Sequence, residues 1–334
     1  MPRPIRRAAP VMRIVCFMGL TTVTEHHTLI AMPSHVKSVN MNVAERDFKY
    51  YIFDWDDNIL HMPTRIHLEK RQPDGSWRPH SVSTAAFAVV RNDHENYRPP
   101  DGVWENAFVE FQDTAGESES RFLHDTRISL ERVMAGESAP GPSFETLRET
   151  LREGRLFAIV TARGHESESL KKAVRLFIDV VLTDAEREEM MANLRGYRAC
   201  FDGCTTFGTD EEELAYYLNL NRYHAVTNPS FKRWMAEATE GGASSGDAKP
   251  FAIRDFVEHV VKILSRTGAE SLRRPISVGF SDDDAGNVRA VERYIQEELS
   301  RRFPGIKFCV YDTSDPAVPD GRKVTVSGQL DFGF

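Results

Sequence analysis

The chain lacks the features that define several large classes of protein. Its 334 residues include only four cysteines, too few for a disulfide-stapled scaffold of this length. No apolar run approaches the roughly 20 residues that a membrane-spanning helix needs, so we expect no membrane association. Basic residues do not predominate, because 42 lysines and arginines stand against 50 aspartates and glutamates, a formal charge of −8. Such a chain neutralises few phosphates, and we expect no nucleic-acid partner.

The cysteines also lack the pattern of a metal site. Cys200 and Cys204 lie close together in the sequence, but no second cysteine pair or nearby histidine completes a tetrahedral set of ligands. We therefore interpret the cysteines as free or buried thiols.

The first 44 residues differ in charge from the rest of the chain. They contain five basic residues and a single acid, Glu25. An arginine-rich, acid-poor segment is typical of a transit peptide, but no convincing cleavage site follows. We expect a poorly ordered extension and a cytoplasmic protein, with an organellar location as the alternative if residues 1–44 are a transit peptide.

Hydrophobic residues make up 41% of the whole chain. After the first 44 residues, short apolar runs alternate with helical patterns. Runs ending at Phe53, Val160, Phe280 and Tyr311 are almost uncharged and rich in β-branched or aromatic residues, as strands buried on both faces are. Apolar residues at spacings of three and four predict helices over residues 144–153, 167–177, 251–264 and 287–303. This alternation predicts an α/β fold: a three-layer α/β/α sandwich with a Rossmann-like, doubly wound, mainly parallel sheet.

Two segments are too long for simple crossovers between strands. Residues 64–141 include a predicted hairpin that turns at Gln72–Gly75, and residues 185–246 include helical patterns and an apparent strand at Tyr223–Val226. We predict a core over residues 45–320 with these two insertions serving as cap segments, followed by a C-terminal tail at 321–334.

Acidic residues follow the predicted strands. Asp54 and Asp56 come directly after the first strand, and Asp282, Asp283 and Asp284 follow the third. Carboxyl ends of parallel strands meet at one edge of a sheet, where ligands bind. A calcium loop beginning at Asp54 is excluded, because its sixth and twelfth positions hold Ile59 and Arg65 instead of glycine and glutamate.

The remaining chemical interpretation is phosphoryl transfer through a carboxylate. One aspartate attacks phosphorus, and a second acid two residues later exchanges protons with the leaving oxygen and with water. Attack on a phosphate needs cationic groups that offset the negative charge, such as magnesium and a lysine.

Four segments together resemble the haloacid dehalogenase-like (HAD) hydrolase superfamily. Phe53-Asp54-Trp55-Asp56-Asp57-Asn58 is similar to its first motif, and Ile159-Val160-Thr161-Ala162-Arg163-Gly164 to its second. Lys249-Pro250 at a helix start resembles the third motif, and Val278-Gly279-Phe280-Ser281-Asp282-Asp283 the fourth. The four occur in the family's order, and the resemblance spans roughly residues 48–315.

This resemblance implies a role for each matching residue. Asp54 is the expected nucleophile and a Mg²⁺ ligand, and Asp56 the general acid/base whose backbone carbonyl also reaches the metal. Thr161 and Lys249 are expected to hold the phosphoryl group. Asp282 and Asp283 are expected to bind Mg²⁺, although the run of acids through Asp284 leaves the ligand choice open.

Several neighbouring residues have two interpretations each. Arg163 and His165 either contact substrate or are solvated at a helix N-terminus, and Asn287 either caps the last helix or orients the acids beside it. Lys232 is a rival for the third motif, although it lacks the helix-start context of Lys249. Trp55, pointing away from the two aspartates, is expected to pack in the core.

The expected function is therefore that of a Mg²⁺-dependent phosphatase acting on a small phosphomonoester. Two alternatives are a binding or regulatory protein on the same scaffold without turnover, and a phosphomutase or phosphotransferase that uses the same intermediate.

Overall fold

The computed structural model describes residues 39–114, 119–242, 244–266, 274–315, 317–318 and 321–327. Most of the predicted basic extension lies outside the described residues. The helices are α1 (Thr84–Val90), α2 (Trp104–Ala107), α3 (Arg121–Met134), α4 (Phe144–Arg152), α5 (Ser167–Val181), α6 (Asp184–Phe201), α7 (Asp210–Leu220), α8 (Pro229–Ala238), α9 (Ala248–Ser265) and α10 (Ala285–Tyr294). A π-helical segment, Ile295–Leu299, and a short helix, α11 (Ser300–Arg302), continue α10 within the range predicted as one helix.

Nine strands form two sheets in the described part of the chain. They are β1 (Phe48–Phe53), β2 (Ile66–Arg71), β3 (Trp77–Val82), β4 (Tyr97–Arg98), β5 (Phe157–Thr161), β6 (Arg222–Ala225), β7 (Ile276–Asp282), β8 (Ile306–Asp312) and β9 (Arg322–Ser327). The main sheet has the order β6-β5-β1-β7-β8-β9, parallel except for β9. The predicted α/β fold with a mainly parallel sheet is confirmed at this level.

Each central strand contributes alternate residues to two separate hydrophobic clusters, because successive side chains of a strand point to opposite faces. Ile52 and Val160 belong to a cluster that also contains residues of α8, α9 and α10. Phe53 and Ile159 belong to a second cluster with residues of α3 to α7. Helices therefore cover both faces of the main sheet.

The first insertion forms a small antiparallel sheet of the order β3-β2-β4. The predicted hairpin is confirmed, since β2 pairs with β3 from Ile66↔Val82 to Arg71↔Trp77. Helix α1 and the short α2 belong to the same insertion, and Phe87, Phe108 and Phe111 pack with this sheet.

Three boundaries differ from the sequence prediction. The second insertion provides β6 to the main sheet, with Ile159 opposite Tyr223, so this segment is part of the main unit. The expected C-terminal tail contains β9, which covers the β8 edge. The structured region also begins before residue 45, because Asn40 N–H donates to the Ala192 carbonyl at 3.1 Å on α6. Local pattern did not indicate these tertiary contacts.

Candidate active site

The site lies where the chain reverses its direction of progress across the main sheet. The chain runs outward from β1 through β5 to β6, then returns to the other side of β1 with β7 and β8. Ligands bind at such switch points, beyond the carboxyl ends of the strands. Phe53 pairs with Ser281, so the residues that follow these two, Asp54 and Asp282, emerge side by side.

Lys249 connects the two aspartates. Its Nζ donates to Asp54 Oδ1 at 2.8 Å and to Asp282 Oδ2 at 2.5 Å, and all three residues are buried. Burial by itself lowers the pKa of Lys249, but Asp282 and Asp54 raise it well above its usual value, so the ammonium stays charged. The predicted convergence of these three residues is present, and the rival Lys232 is exposed on α8.

The turn after β1 is fixed by Asn58. Its side-chain amide donates to the Asp54 carbonyl at 3.0 Å and to Ser281 Oγ at 3.0 Å. Its Oδ1 accepts from Ser143 Oγ at 2.8 Å and from Thr313 Oγ1 at 3.0 Å. Asn58 is fully buried and ties the turn to three distant segments of the chain. The sequence placed Asn58 within the first motif but gave no sign of its partners.

Asp56 is held by Arg163. Arg163 Nε donates to Asp56 Oδ2 at 2.8 Å and Nη2 to Oδ1 at 2.6 Å, the two-pronged geometry that suits a guanidinium and a carboxylate. Thr161 Oγ1 lies 3.4 Å from Asp56 Oδ2. Thr161 is therefore at the site, as predicted. The interpretation of Arg163 as a solvated helix-end residue is wrong, because its side chain is 0% exposed.

The guanidinium of Arg163 has further partners from the first insertion. Nη2 also donates to Thr64 Oγ1 at 2.7 Å, and Thr64 Oγ1 donates to Asp125 Oδ2 at 2.5 Å. The guanidinium carbon lies 4.6 Å from the ring centre of Phe111 and 5.1 Å from that of Phe122. Cation–π contacts of this kind stabilise a buried cation, so this insertion fixes the orientation of Asp56 through Arg163.

His165 is buried beside Phe122, their ring centres 5.4 Å apart. Burial, and secondly the charge of Arg163, lower the pKa of His165 to about 4, so the ring is neutral at pH 7. Neither ring nitrogen has a hydrogen-bond partner among the described residues. Solvation at a helix end, one of the two interpretations of His165, is therefore wrong. Trp55 is fully buried against Phe122, and its predicted packing role is confirmed.

The three acids after β7 have different surroundings. Burial raises the pKa of Asp283 to about 9, with Asp54, Asp282 and Asp57 adding to the effect. Asp284 Oδ1 accepts from the N–H groups of Gly286 and Asn287 at 2.6 and 3.2 Å and so caps α10. Asp284 also pairs with Arg91.

Asn287 does not cap the last helix, so that interpretation is wrong. Its Nδ2 donates to Asp282 Oδ1 at 3.2 Å, in agreement with the other prediction, that Asn287 orients these acids. The cap falls to Asp284 because its φ of −90° and ψ of 109° place it just before the first turn of α10.

Helix α1 reaches both sides of the site. Thr84 Oγ1 donates to Asp57 Oδ2, and Arg91, just after α1, pairs with Asp284. Asp57 has a φ of 53°, a left-handed conformation that aspartate tolerates better than most residues. The other carboxylate oxygen of Asp57, Oδ1, forms a hydrogen bond with His61 Nδ1 at 2.8 Å, and this bond raises the pKa of His61. No local sequence signal indicated Thr84 or Arg91.

The charge balance of the site fits a hard divalent cation. Three carboxylates, Asp54, Asp282 and Asp283, share one ammonium, Lys249. Burial raises the pKa of Asp54 to about 8 against the lowering effect of Lys249, and Asp282 and Asp56 raise it further. Carboxylate oxygens are the ligands that Mg²⁺ uses, and a cation removes this repulsion. Among the described residues, however, no group of three or more His, Cys, Asp or Glu side chains is already arranged around one metal position.

Within the described residues, no helix has both the length and the apolar character needed to cross a membrane. Comparison with protein-family models, with curated proteins and with solved structures found no match to this chain.

Proposed function

We propose that the protein is a Mg²⁺-dependent phosphatase of the HAD type that hydrolyses a small phosphomonoester through an aspartyl-phosphate on Asp54. The observation that supports this most strongly is the contact of Lys249 with Asp54 and Asp282. These residues come from three distant parts of the chain. Burying their charges costs folding free energy, and charged groups gathered in this way are typical of functional sites.

In the first step, a carboxylate oxygen of Asp54 attacks phosphorus while the bond to the leaving oxygen breaks. Lys249 lies beside the attacking carboxylate, where its charge offsets the negative charge of the phosphoryl group. Thr161, at the end of the neighbouring strand β5, offers a hydroxyl to a phosphoryl oxygen. The products of this step are the free alcohol and the phosphorylated Asp54.

Asp56 supplies the protons. It gives a proton to the leaving oxygen in the first step and takes one from the attacking water in the second, which breaks the bond between Asp54 and phosphorus and releases phosphate. Arg163 engages both oxygens of Asp56, so one of these bonds must lengthen when Asp56 carries a proton. Apo hydrogen bonds at catalytic groups often rearrange in this way when substrate binds.

The residues that would hold Mg²⁺ are Asp54, Asp282, Asp283 and the backbone carbonyl of Asp56. That carbonyl accepts from Asn58 N–H at 2.6 Å, which leaves its second lone pair for a ligand. When bound, Mg²⁺ supplies positive charge against the phosphoryl oxygens. Asp284 is a poorer candidate because it caps α10 and pairs with Arg91.

We further propose that the architecture is a three-layer sandwich and that residues 64–141 act as its cap. This insertion supplies Thr84, Arg91 and Thr64 to the surroundings of the site. Cap loops that contact the site in this way exclude water and select substrates. The second insertion contributes to the main sheet and is not proposed as a cap.

A substitution of the nucleophile tests the proposal. Asp54→Asn is expected to abolish turnover of p-nitrophenyl phosphate, while Asp101→Asn, at an exposed position of the insertion, keeps it. Equal activity of the Asp54→Asn variant and the wild type would exclude Asp54 as the nucleophile. Turnover of the wild type is expected to require Mg²⁺ and to stop with a chelator.

The pairing of Asp56 with Arg163 favours one second candidate, a binding protein on this scaffold that does not turn substrate over. In such a protein the Arg163–Asp56 pair never opens, and phosphate analogues bind without hydrolysis. A panel of phosphomonoesters that shows binding but no Mg²⁺-dependent release of phosphate would favour this candidate over the phosphatase.

A further inference from the structure

Helix α1 connects the two turns that carry the acids of the candidate active site. Thr84, at its start, donates to Asp57 in the turn after β1. Arg91, directly after its last residue, pairs with Asp284 in the turn after β7. Because β1 and β7 are neighbours in the main sheet, α1 crosses the carboxyl ends of both strands and contacts the site at each of its own ends.

The face of α1 that turns toward the site is open in the middle. Thr84 and Arg91 are seven residues apart, almost two helical turns, so their side chains lie on one face about 10 Å apart along the helix axis. Ala88 lies between them on this face, and its side chain is exposed. No residue of α1 is buried. Space therefore remains beneath the middle of α1, between its two anchored ends.

The surface of α1 beside this space is apolar. Between Thr84 and Arg91 the helix contains only alanine, valine and one phenylalanine, Phe87. Phe87 packs against Trp104 and Phe108 of the same insertion, with ring centres 6.1 and 5.5 Å away. A ligand beneath α1 thus meets alkyl and aromatic groups, and the polar groups that orient it come from the two ends of the helix.

Arg91 offers a positive charge that a ligand can reach. Its side chain is 40% exposed, whereas Lys249 and Arg163 are buried. Asp284 is the only hydrogen-bond partner of its guanidinium among the described residues, and a guanidinium has five N–H donors. Asp284 also accepts from two backbone N–H groups at the start of α10. Arg91 therefore keeps donors for a further anionic group.

We propose that the leaving group of the substrate lies beneath α1 and that Arg91 binds a second anionic group on it, a carboxylate or a phosphate. This inference rests on the proposed phosphatase function and names its substrate class, a phosphomonoester whose leaving group joins an apolar body to an anionic end. Arginine suits both anions, because its planar fork donates two parallel N–H bonds to either of them. The acids that follow β1 and β7 repel a second anion elsewhere at this edge.

Matched aryl phosphates test the proposal. The wild type is expected to hydrolyse 4-carboxyphenyl phosphate with a kcat/KM at least about tenfold above that for 4-carbamoylphenyl phosphate, which has nearly the same shape but no charge on the leaving group. The same comparison with 1,4-phenylene bisphosphate distinguishes phosphate from carboxylate as the preferred anion. Wild-type ratios near one for both anionic substrates would overturn the proposal.

Two arginine variants assign this preference. Arg91→Met is expected to bring the ratio close to one. Arg98→Met is the matched control, because Arg98 has a similar exposure but pairs with Glu69 within the small sheet, and it is expected to keep the wild-type ratio. A general loss of stability or activity lowers both rates and leaves their ratio unchanged, so a merely structural role of Arg91 would preserve the preference and overturn the proposal.

Two substitutions on α1 locate the leaving group. Ala88→Phe places a large side chain on the face between Thr84 and Arg91 and is expected to raise KM for 4-carboxyphenyl phosphate at least about tenfold. Ala86→Phe, at an exposed position on the opposite side of the helix, is expected to keep the wild-type KM. Equal KM values in the two variants would place the leaving group elsewhere and overturn the proposal.

Failure of the phosphatase function would give a different result. If the wild type hydrolyses none of these esters with Mg²⁺, calorimetric titration of the wild type with 4-carboxyphenyl and 4-carbamoylphenyl phosphate measures the preference as a ratio of Kd. A preference of at least about tenfold that Arg91→Met removes would support anion binding by Arg91 in a protein without turnover. Equal Kd values would overturn this inference as well.

Discussion

Arg163 donates two hydrogen bonds to Asp56, so the proposed acid/base is oriented by an arginine two residues beyond Thr161. The arginine is itself held by Thr64 and by two phenylalanine rings. Side chains from the first insertion thus control the geometry of a residue that follows β1.

Replacing Arg163 by lysine is expected to show whether Arg163 positions the carboxylate of Asp56 or only supports the fold. A lysine keeps the charge but cannot make both bonds to Asp56. Turnover of glycerol 2-phosphate, whose leaving alkoxide needs a proton, is expected to fall at least about tenfold more than that of p-nitrophenyl phosphate. Steady-state kinetics on both substrates measures the difference.

The control for that prediction is Arg175→Lys, whose exposed pairs with Asp179 and Glu211 lie on α5 and α7, away from the site. An equal loss on the two substrates in Arg163→Lys would indicate that Arg163 only supports the fold.

Lys249→Met is expected to reduce kcat by about 10²-fold or more, the usual cost of removing a preorganised charge that stabilises a transition state. The reason is that Asp54 and Asp282 then repel each other and the phosphoryl group without compensation. Lys232→Met, on the exposed face of α8, is the matched control and is expected to keep wild-type kcat. Comparable activity of the two variants would contradict the role given to Lys249.

Asn58→Ala is expected to destabilise the fold by about 2–4 kcal/mol. The substitution leaves the hydroxyls of Ser143 and Thr313 and the Asp54 carbonyl without the buried partner that each has in the wild type. Urea denaturation measures the free energy of unfolding. Asn106→Ala, at an exposed position of α2, is expected to stay within about 0.5 kcal/mol of the wild type, and a similarly small effect at Asn58 would mean that water replaces its bonds.

Asp283→Asn and Asp284→Asn are expected to act in opposite directions on the metal-free protein. Burial, and then the charges of Asp54, Asp282 and Asp57, raise the pKa of Asp283 to about 9, so this carboxyl must take up a proton when the protein folds at pH 7. Asparagine avoids that cost and is expected to raise Tm. Asp284 pairs with Arg91, and asparagine keeps the helix cap but loses this ion pair, so its replacement lowers Tm. The Mg²⁺ concentration for half-maximal turnover is expected to rise at least about tenfold in Asp283→Asn only, as one carboxylate ligand is lost; a larger rise in Asp284→Asn would reverse the ligand assignment.

Glu186 gives a pH dependence of stability that is independent of the site. Although burial opposes it, bonds from the Thr183 N–H and from Arg148 lower the pKa of Glu186 to about 2. A lowered folded-state pKa stabilises the fold above the unfolded pKa of about 4.3, and this contribution disappears as the pH falls toward 2. The difference in unfolding free energy between wild type and Glu186→Gln is therefore expected to shrink between about pH 4.5 and 2. A difference that stays constant over this range would show that the charge of Glu186 contributes nothing.

The sequence by itself determined the fold class and the central residues of the site. Short apolar runs alternating with helical patterns predicted a mainly parallel sheet, because strands buried on both faces cannot carry charge. The carboxyl ends of parallel strands share one edge, and for that reason the sequence predicts that Asp54, Thr161 and Asp282 lie together. Gly154, directly after the helix predicted over residues 144–153, has a φ of 66° in the structure, a conformation that glycine accepts without strain and that commonly ends a helix.

Only the tertiary structure decided what surrounds those residues. Packing between distant segments, which has no local signal in the sequence, decides three features of the site. Arg163 is buried against Asp56, Asp284 rather than Asn287 caps α10, and Arg91 reaches Asp284 from 193 residues away. The same is true of β9, which the sequence assigned to a tail and which pairs with β8. The spacing of apolar residues along the chain indicates which face of a helix or strand is buried. The partner of a buried charge depends instead on which distant segment packs against that face.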